Sequence, residues 1–119
     1  MLKGKLSLGL ALAVLVALLA VVPAFARSHA ATGATVTVKA SEFKFALSTK
    51  TAKHGVITFK VTNKGHVEHD FKIGGKKTPM LKPGKSATLK VTLKKGSFKY
   101  LCTVPGHAAA GMKGTFKAS

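Results

Sequence analysis

The stretch SFKYLCTVPGHAAAGM, residues 97–112, contains the only cysteine of the chain. In its first half Phe98, Tyr100 and Cys102 occupy alternate positions, which is the pattern of a β-strand with one buried face. The side chain of Cys102 is therefore predicted to point into the interior, at the last residue of that strand. Because one thiol cannot form an internal disulfide, an inert buried cysteine and a metal ligand are the two interpretations.

Other segments of the chain share this two-residue period. They are TVTVKA (35–40), EFKFAL (42–47), VITFKVTN (56–63), HDFKI (69–73), SATLKVTLKK (86–95) and a final short strand around Phe116. In EFKFAL, for example, Phe43, Phe45 and Leu47 are predicted to share one face. Turn signals such as Pro83-Gly84 separate the segments, and no convincing amphipathic helix follows residue 34. We therefore predict an all-β protein, an antiparallel β-sandwich of about seven to eight short strands.

The N-terminal residues predict an exported protein. Two lysines precede an apolar run from residue 6 to residue 22, and the AFA of residues 24–26 has the small-x-small form of a cleavage site. We interpret residues 1–26 as a signal peptide, with an uncleaved membrane anchor as the alternative. Residues 27–34 are predicted to be a flexible lead-in and residues 35–119 a single domain in the periplasm or another extracytoplasmic space.

The charge of the chain is strongly positive. It contains 20 lysines and arginines but only 3 acidic residues, which gives a formal net charge of +17. Nucleic-acid-binding sites usually add arginines, aromatic residues or a basic helix, whereas Arg27 is the only arginine and the lysines are dispersed along the predicted strands. We therefore expect no nucleic-acid partner. The lysines are interpreted first as a solvated surface, and second as a field that attracts anionic partners or anionic membrane surfaces.

A set of metal-binding side chains lies in and near the opening stretch. Cys102, His107 and Met112 offer a thiolate, an imidazole and a thioether within eleven residues. The segment HDFKI supplies a fourth donor, because His69 has the parity of its apolar residues and is predicted to face the core. Two imidazoles, a thiolate and a weak axial thioether suit a copper ion that alternates between Cu(I) and Cu(II). Structural zinc is the alternative, although it usually takes four Cys or His donors.

With these residues in this order, the chain resembles the cupredoxin family of type I blue-copper proteins, which includes plastocyanin, azurin and auracyanin. VITFKVTNKGHVEHDFKI (56–73) resembles the family's strand and first-ligand segment, and LKPGKSATLKVTLKKGSFKYLCTVPGHAAAGMKGTF (81–116) resembles its C-terminal half. The loop spacing, with four residues between successive ligands, is most similar to auracyanin-type bacterial proteins. The resemblance implies a Greek-key β-sandwich and one copper ion bound by His69, Cys102, His107 and Met112.

The residue after the first histidine departs from the common family pattern. Many members have asparagine there, whereas this chain has Asp70. Its carboxylate is predicted to accept hydrogen bonds from the backbone or hydroxyl of Thr103 and to add negative charge near the metal, which lowers the reduction potential. The nearby His66 and Glu68 are interpreted as exposed turn and edge residues.

Small or apolar residues surround His107 in the sequence and predict a nearly uncharged surface patch. They are Val104, Pro105, Ala108, Ala109 and Ala110. In the family, the exposed edge of this histidine is the usual port for electrons. The resemblance therefore implies small, short-lived contacts with redox proteins, and the lysines favour partners with acidic docking surfaces.

The resemblance implies an exported one-electron carrier that acts as a monomer. An enzyme is not expected, because only Glu42, Glu68 and Asp70 are acidic and no nucleophile with a positioned base is evident. Two other functions stay open at this point. One is copper storage or delivery without electron transfer, and the other is a polyanion-binding module with a vestigial metal site.

Overall fold

The computed structural model describes residue 4 and residues 33–119, and its regular elements are all β-strands. They are β1 (Thr35–Ser41), β2 (Lys44–Leu47), β3 (Thr51–Ala52), β4 (Gly55–Asn63), β5 (Lys72–Ile73), β6 (Lys76–Lys77), β7 (Ser86–Leu93), β8 (Gly96–Leu101) and β9 (Lys113–Ala118). The predicted signal peptide, apart from residue 4, and most of the predicted lead-in lie outside the described residues. Within the described part, no helix has the length and apolar character needed to cross a membrane.

The strands form two sheets, which confirms the predicted all-β sandwich. The first sheet has the order β2-β1-β4-β7 and the second has the order β3-β9-β8-β5-β6. Residues 33–119 contain nine strands instead of the predicted seven to eight. The excess arises because β3, β5 and β6 have two residues each, which is too short to leave a periodic signal in the sequence.

Five of the described strand pairs are antiparallel, as predicted, and two are parallel, which the sequence analysis did not predict. β1 runs parallel to β4, with Val36 opposite Phe59, and β3 runs parallel to β9, with Thr51 opposite Lys117. Between β1 and β4 the chain passes through β2 and then through β3 in the other sheet. No hairpin therefore joins β1 to β4, and alternation of side chains along a strand does not encode its direction.

The hydrophobic core lies between the sheets and is built from the alternate residues of the long strands. Phe59 of β4 is fully buried and contacts two aromatic rings. Its ring centroid lies 5.2 Å from that of Phe71, which directly precedes β5, and 5.4 Å from that of Phe116 in β9. Burial of one such ring contributes about 1.5–3 kcal/mol. Since Phe71 lies two residues after His69, this aromatic cluster also supports the segment that carries the first candidate ligand.

Two predicted strands are shorter than the sequence pattern indicated. In EFKFAL the strand begins at Lys44, and Phe43 is 43% exposed in the preceding turn instead of sharing the half-buried face of Phe45 and Leu47. In HDFKI only the last two residues form a strand, while His69 makes an isolated bridge with Leu81. Both departures occur where the chain turns toward one end of the sandwich.

Candidate metal centre

Cys102 directly follows the last residue of β8, and its side chain is buried at 1% exposure. The loop that begins there closes on itself, because the backbone N–H of Cys102 donates to the carbonyl of Met112 (3.1 Å) and the N–H of Met112 donates to that of His107 (3.1 Å). Gly106, at φ +84°, supplies the left-handed conformation that the Pro105-Gly106 turn requires. The loop thus returns Met112 to the position next to the thiol.

The side chains of His69, Cys102 and His107 meet at this end of the sandwich. The two histidine Nδ1 atoms are 3.1 Å apart, and the sulfur of Cys102 lies 3.9 Å from Nδ1 of His69 and 3.6 Å from Nδ1 of His107. A point equidistant from the three atoms lies about 2.1 Å from each, close to the ~2.0–2.3 Å bonds of imidazole and thiolate to a first-row metal ion such as zinc. The donor triangle therefore fits one metal ion.

Met112, the fourth predicted donor, lies next to Cys102. It is fully buried and packs in a small cluster with Ala40 and Cys102, against the partly buried Phe45 and Val104. A thioether enclosed by apolar side chains beside a thiolate and two imidazoles is typical of a copper site. It is not typical of structural zinc.

His69 is held by a network that the sequence analysis did not identify. Its backbone N–H donates to Leu81 (3.1 Å) and its carbonyl accepts from Leu81 (2.8 Å). The side-chain amide of the fully buried Asn63 donates to the carbonyls of Leu81 and Val67, at 2.8 Å each, and its oxygen accepts from the N–H of Gly65. Asn63 therefore fixes both chain segments that flank the histidine.

Glu42 is a second residue that the sequence analysis missed. Its Oε1 atom lies 3.2 Å from Nε2 of His69 and accepts from the backbone N–H groups of His66 (2.7 Å) and Val67 (2.9 Å). These bonds, that from His66 first, lower the pKa of Glu42 from 4.5 to about 2, so the carboxylate is ionised at neutral pH. An Nε2–H of His69 that donates to Glu42 leaves Nδ1 free as a metal ligand, as in carboxylate–histidine–metal arrangements.

Asp70 joins the two segments that carry candidate ligands. Its Oδ1 accepts from the backbone N–H of Thr103 at 2.6 Å, and its Oδ2 accepts from the Thr103 hydroxyl. The carboxylate is 1% exposed. Burial also raises the pKa of the neighbouring Cys102 thiol above its usual value of 9.0, so a bound metal ion must displace a proton from it.

Comparisons with known proteins agree with this geometry. The sequence pattern of the copper-binding proteins of the plastocyanin/azurin family matches residues 30–119. The chain belongs to this family. Copper is therefore the cofactor of this cupredoxin, and the structural zinc alternative is set aside.

Solved structures of auracyanins are similar to this cupredoxin. The dithionite-reduced auracyanin of the photosynthetic bacterium Roseiflexus castenholzii is 26% identical with a TM-score of 0.63, over 73% of this chain and 99% of that chain. Auracyanin B is 24% identical with a TM-score of 0.60, over 71% of this chain and 88% of that chain, a likeness that shows the fold alone. No curated protein matches the chain in sequence.

The surface around His107 in this cupredoxin is apolar and is larger than the sequence indicated. Of the predicted patch, Pro105, Ala109 and Ala110 are exposed, while Val104 and Ala108 are partly buried. The 43% exposed ring of Phe43 adds to it and meets the partly exposed imidazole of His107 edge to face, with ring centroids 5.0 Å apart. His66, with 95% of its side chain exposed, and Glu68 lie in solvent as predicted.

We expect Glu42→Gln to raise the reduction potential of the copper, because a neutral amide replaces the carboxylate that favours the more positive ion. Glu42→Ala also removes the acceptor for Nε2 of His69, and loss of such a partner typically weakens metal binding roughly 10–100-fold. Voltammetry measures the first effect and competition with a chelator the second.

The matched control for Glu42 is Glu68→Gln, which removes the same charge from an exposed side chain one residue before His69. Water and salt screen that charge, so both quantities should change little. Equal shifts for the two variants would show that net charge alone, and not the contact with His69, sets the potential.

Proposed function

We propose that this cupredoxin is an exported one-electron carrier in which His69, Cys102, His107 and Met112 hold the copper ion. The proposal depends above all on one observation, the triangle of two imidazole nitrogens and one sulfur with sides of 3.1, 3.6 and 3.9 Å beside a buried Met112. When bound, copper supplies a one-electron couple between Cu(I) and Cu(II). Export rests on the signal peptide predicted at residues 1–26.

The surroundings of the four side chains suit rapid electron transfer. His69, Cys102 and Met112 are each no more than 1% exposed, so water has little access to three of the four proposed ligands. Asn63 holds the backbone around His69, and Asp70 fixes the Thr103 segment next to Cys102. Ligands held in this way change position little when the charge of the ion changes, which keeps the barrier to electron transfer low.

We place electron entry and exit at His107, the one proposed ligand that is partly exposed. The apolar patch around it permits a small and short-lived interface, as weak redox encounters require. The lysines elsewhere on the protein accelerate the approach of an acidic redox protein, at a rate that falls as salt rises.

We propose no catalytic step for this site. Of the three acidic residues, Glu42 and Asp70 already accept hydrogen bonds from the ligand segments, and Glu68 is exposed to solvent. General acid–base catalysis needs a carboxyl group that is free to exchange a proton with a substrate. The site is built to hold a metal ion and not to bind a substrate.

The visible spectrum of the purified protein after loading with Cu(II) tests the proposed function. An electron carrier shows an intense thiolate-to-copper band that disappears on reduction and returns on reoxidation. Colourless binding of Cu(I) alone, with rapid transfer to a chelator, would instead establish copper storage or delivery. The expected result is that the band regains its full intensity on each reoxidation and that copper stays bound over repeated cycles.

A matched pair of methionine variants tests the fourth ligand. Met112 is fully buried beside Cys102, whereas Met80 is 43% exposed. We expect Met112→Leu to raise the reduction potential, because the thioether that helps to stabilise Cu(II) is lost while the volume is kept. Met80→Leu should leave the potential unchanged in the same voltammetric measurement. If the two variants had the same reduction potential, Met112 would not be a ligand of the copper.

A further inference from the structure

The outward face of the second sheet carries an unusual density of positive charge. Strand register places nine side chains on this face, and five of them are exposed lysines. We name these five the lysine face: Lys72, Lys77, Lys99, Lys113 and Lys117. The outward face of the first sheet has four lysines among fourteen positions, separated mainly by threonines and serines. The second sheet is therefore the more highly charged of the two.

The lysine face forms a compact array. Lys77, Lys72, Leu101 and Lys113 lie side by side across β6, β5, β8 and β9. With strands about 4.8 Å apart this row is about 15 Å long, and Lys117, four residues along β9, lies about 13 Å from it. The three acidic residues of the chain lie instead in the segments around the metal centre, so none of them neutralises the array.

One pair within the array opposes folding. Lys72 and Lys77 are direct cross-strand partners in the short β5-β6 hairpin, and like charges in that position destabilise a sheet. Since a hairpin of two-residue strands has little other support, this arrangement is unfavourable for the isolated protein. An anionic surface placed over the face would reverse the sign of that contribution.

We propose that the lysine face binds the surface of membranes that contain anionic lipid. Protein–protein interfaces are poor in lysine and rich in aromatic residues, methionine and arginine, whereas the half-buried Leu101 is the only large apolar side chain on this face. Lysine is a flexible, hydrated point charge, which suits the diffuse negative potential of a lipid surface. The apolar patch around His107 has the composition of a protein-binding surface, so the two surfaces serve different partners.

This binding mode leaves the metal centre accessible. When the second sheet lies on the membrane, its strands run along the surface, and the end that carries Cys102 and His107 points sideways. A partner that projects from the same membrane then reaches His107 by diffusion in two dimensions. The inference goes beyond electron transfer and does not depend on it, because lipid binding can be measured whether or not copper is bound.

Two triple variants of the full chain test the proposal with equal changes in net charge. The first carries Lys72→Gln, Lys99→Gln and Lys113→Gln on the lysine face. The second carries Lys39→Gln, Lys60→Gln and Lys90→Gln on the outward face of the first sheet. All six side chains are exposed, so both variants should keep the far-ultraviolet circular dichroism of the wild type.

The measured quantity is the ratio of two partition coefficients from co-sedimentation, one for phosphatidylcholine vesicles with phosphatidylglycerol and one without it. The ratio removes the hydrophobic contribution of the apolar N-terminal segment, which acts on both kinds of vesicle, and the charges of that segment are the same in both variants. Each lysine near an anionic surface accounts for about a fivefold change, so the first variant should lower the ratio by about a hundredfold at physiological salt. The second should lower it by no more than a few fold, because its lysines lie beyond the ~8 Å screening length.

Three results would overturn the proposal. Equal losses for the two variants would mean that net charge and not the lysine face controls binding. A wild-type ratio near one would mean that anionic lipid is not recognised. Binding of poly-L-glutamate through Lys72, Lys99 and Lys113, without a preference for phosphatidylglycerol vesicles, would assign the face to an acidic protein.

Discussion

Substitution of Cys102 by serine is expected to abolish both the intense visible absorption and the reversible redox couple of the copper-loaded protein. The absorption arises from charge transfer between a thiolate and copper, and serine offers no thiolate. Its hydroxyl fills the same buried place next to Met112 and the two imidazoles. This is the largest functional effect that we expect from any single substitution in the chain.

Loss of function in this variant must be separated from loss of folding. Burial of an incompletely paired hydroxyl costs about 1–3 kcal/mol, so the serine variant should keep its β-sheet circular dichroism at room temperature. The spectrum after addition of Cu(II) and the voltammogram supply the functional readout. A serine variant that still shows the strong band would mean that Cys102 is not the source of the colour.

Phe59→Ala is expected to lower the free energy of unfolding by about 3–5 kcal/mol. Phe59 is fully buried and contacts Phe71 and Phe116, so its ring joins the first sheet to the second. Removal of the ring loses this burial and leaves a cavity between the sheets. A change of this size is a large fraction of the stability of a small domain.

Urea denaturation of the wild type and the variant measures this difference from the midpoint and slope. The matched control is Phe43→Ala, since Phe43 is 43% exposed and packs on the surface against His107. We expect it to cost less than about 1 kcal/mol. Similar losses for the two phenylalanines would contradict the position that the structure gives to Phe59.

The candidate ligands could be predicted, because each lies within or next to a segment with a periodic pattern. The alternation of Phe98, Tyr100 and Cys102 gave the inward direction of the thiol, and the following loop gave His107 and Met112. His69 followed from parity, because it has the spacing of two core residues, although only part of its segment is a strand. The donor set thus required only local patterns and the chemistry of copper.

The hydrogen bonds from Thr103 to Asp70 were predicted, but the contacts of Glu42 and Asn63 were not, because they depend on how distant parts of the chain come together. Glu42 lies 27 residues before His69, in a turn between β1 and β2, and no spacing in the sequence relates the two. Asn63 has the sequence signature of an ordinary turn residue, yet its amide is buried between Val67 and Leu81. The parallel pairing of β1 with β4 could not be predicted for the same reason, since it depends on the route of the chain between the sheets.

The double hydrogen bond between Asp70 and Thr103 has a consequence for how the molecule comes apart. It ties together the residues that follow His69 and Cys102, two side chains separated by 33 positions in the sequence. These hydrogen bonds hold the segment that follows the end of β8 close to the segment that leads into β5, so the two proposed ligands would stay together around a bound ion. Unfolding of the sandwich and loss of the visible absorbance should therefore coincide. The absorbance of the copper-loaded protein would then report the fraction of molecules that are folded.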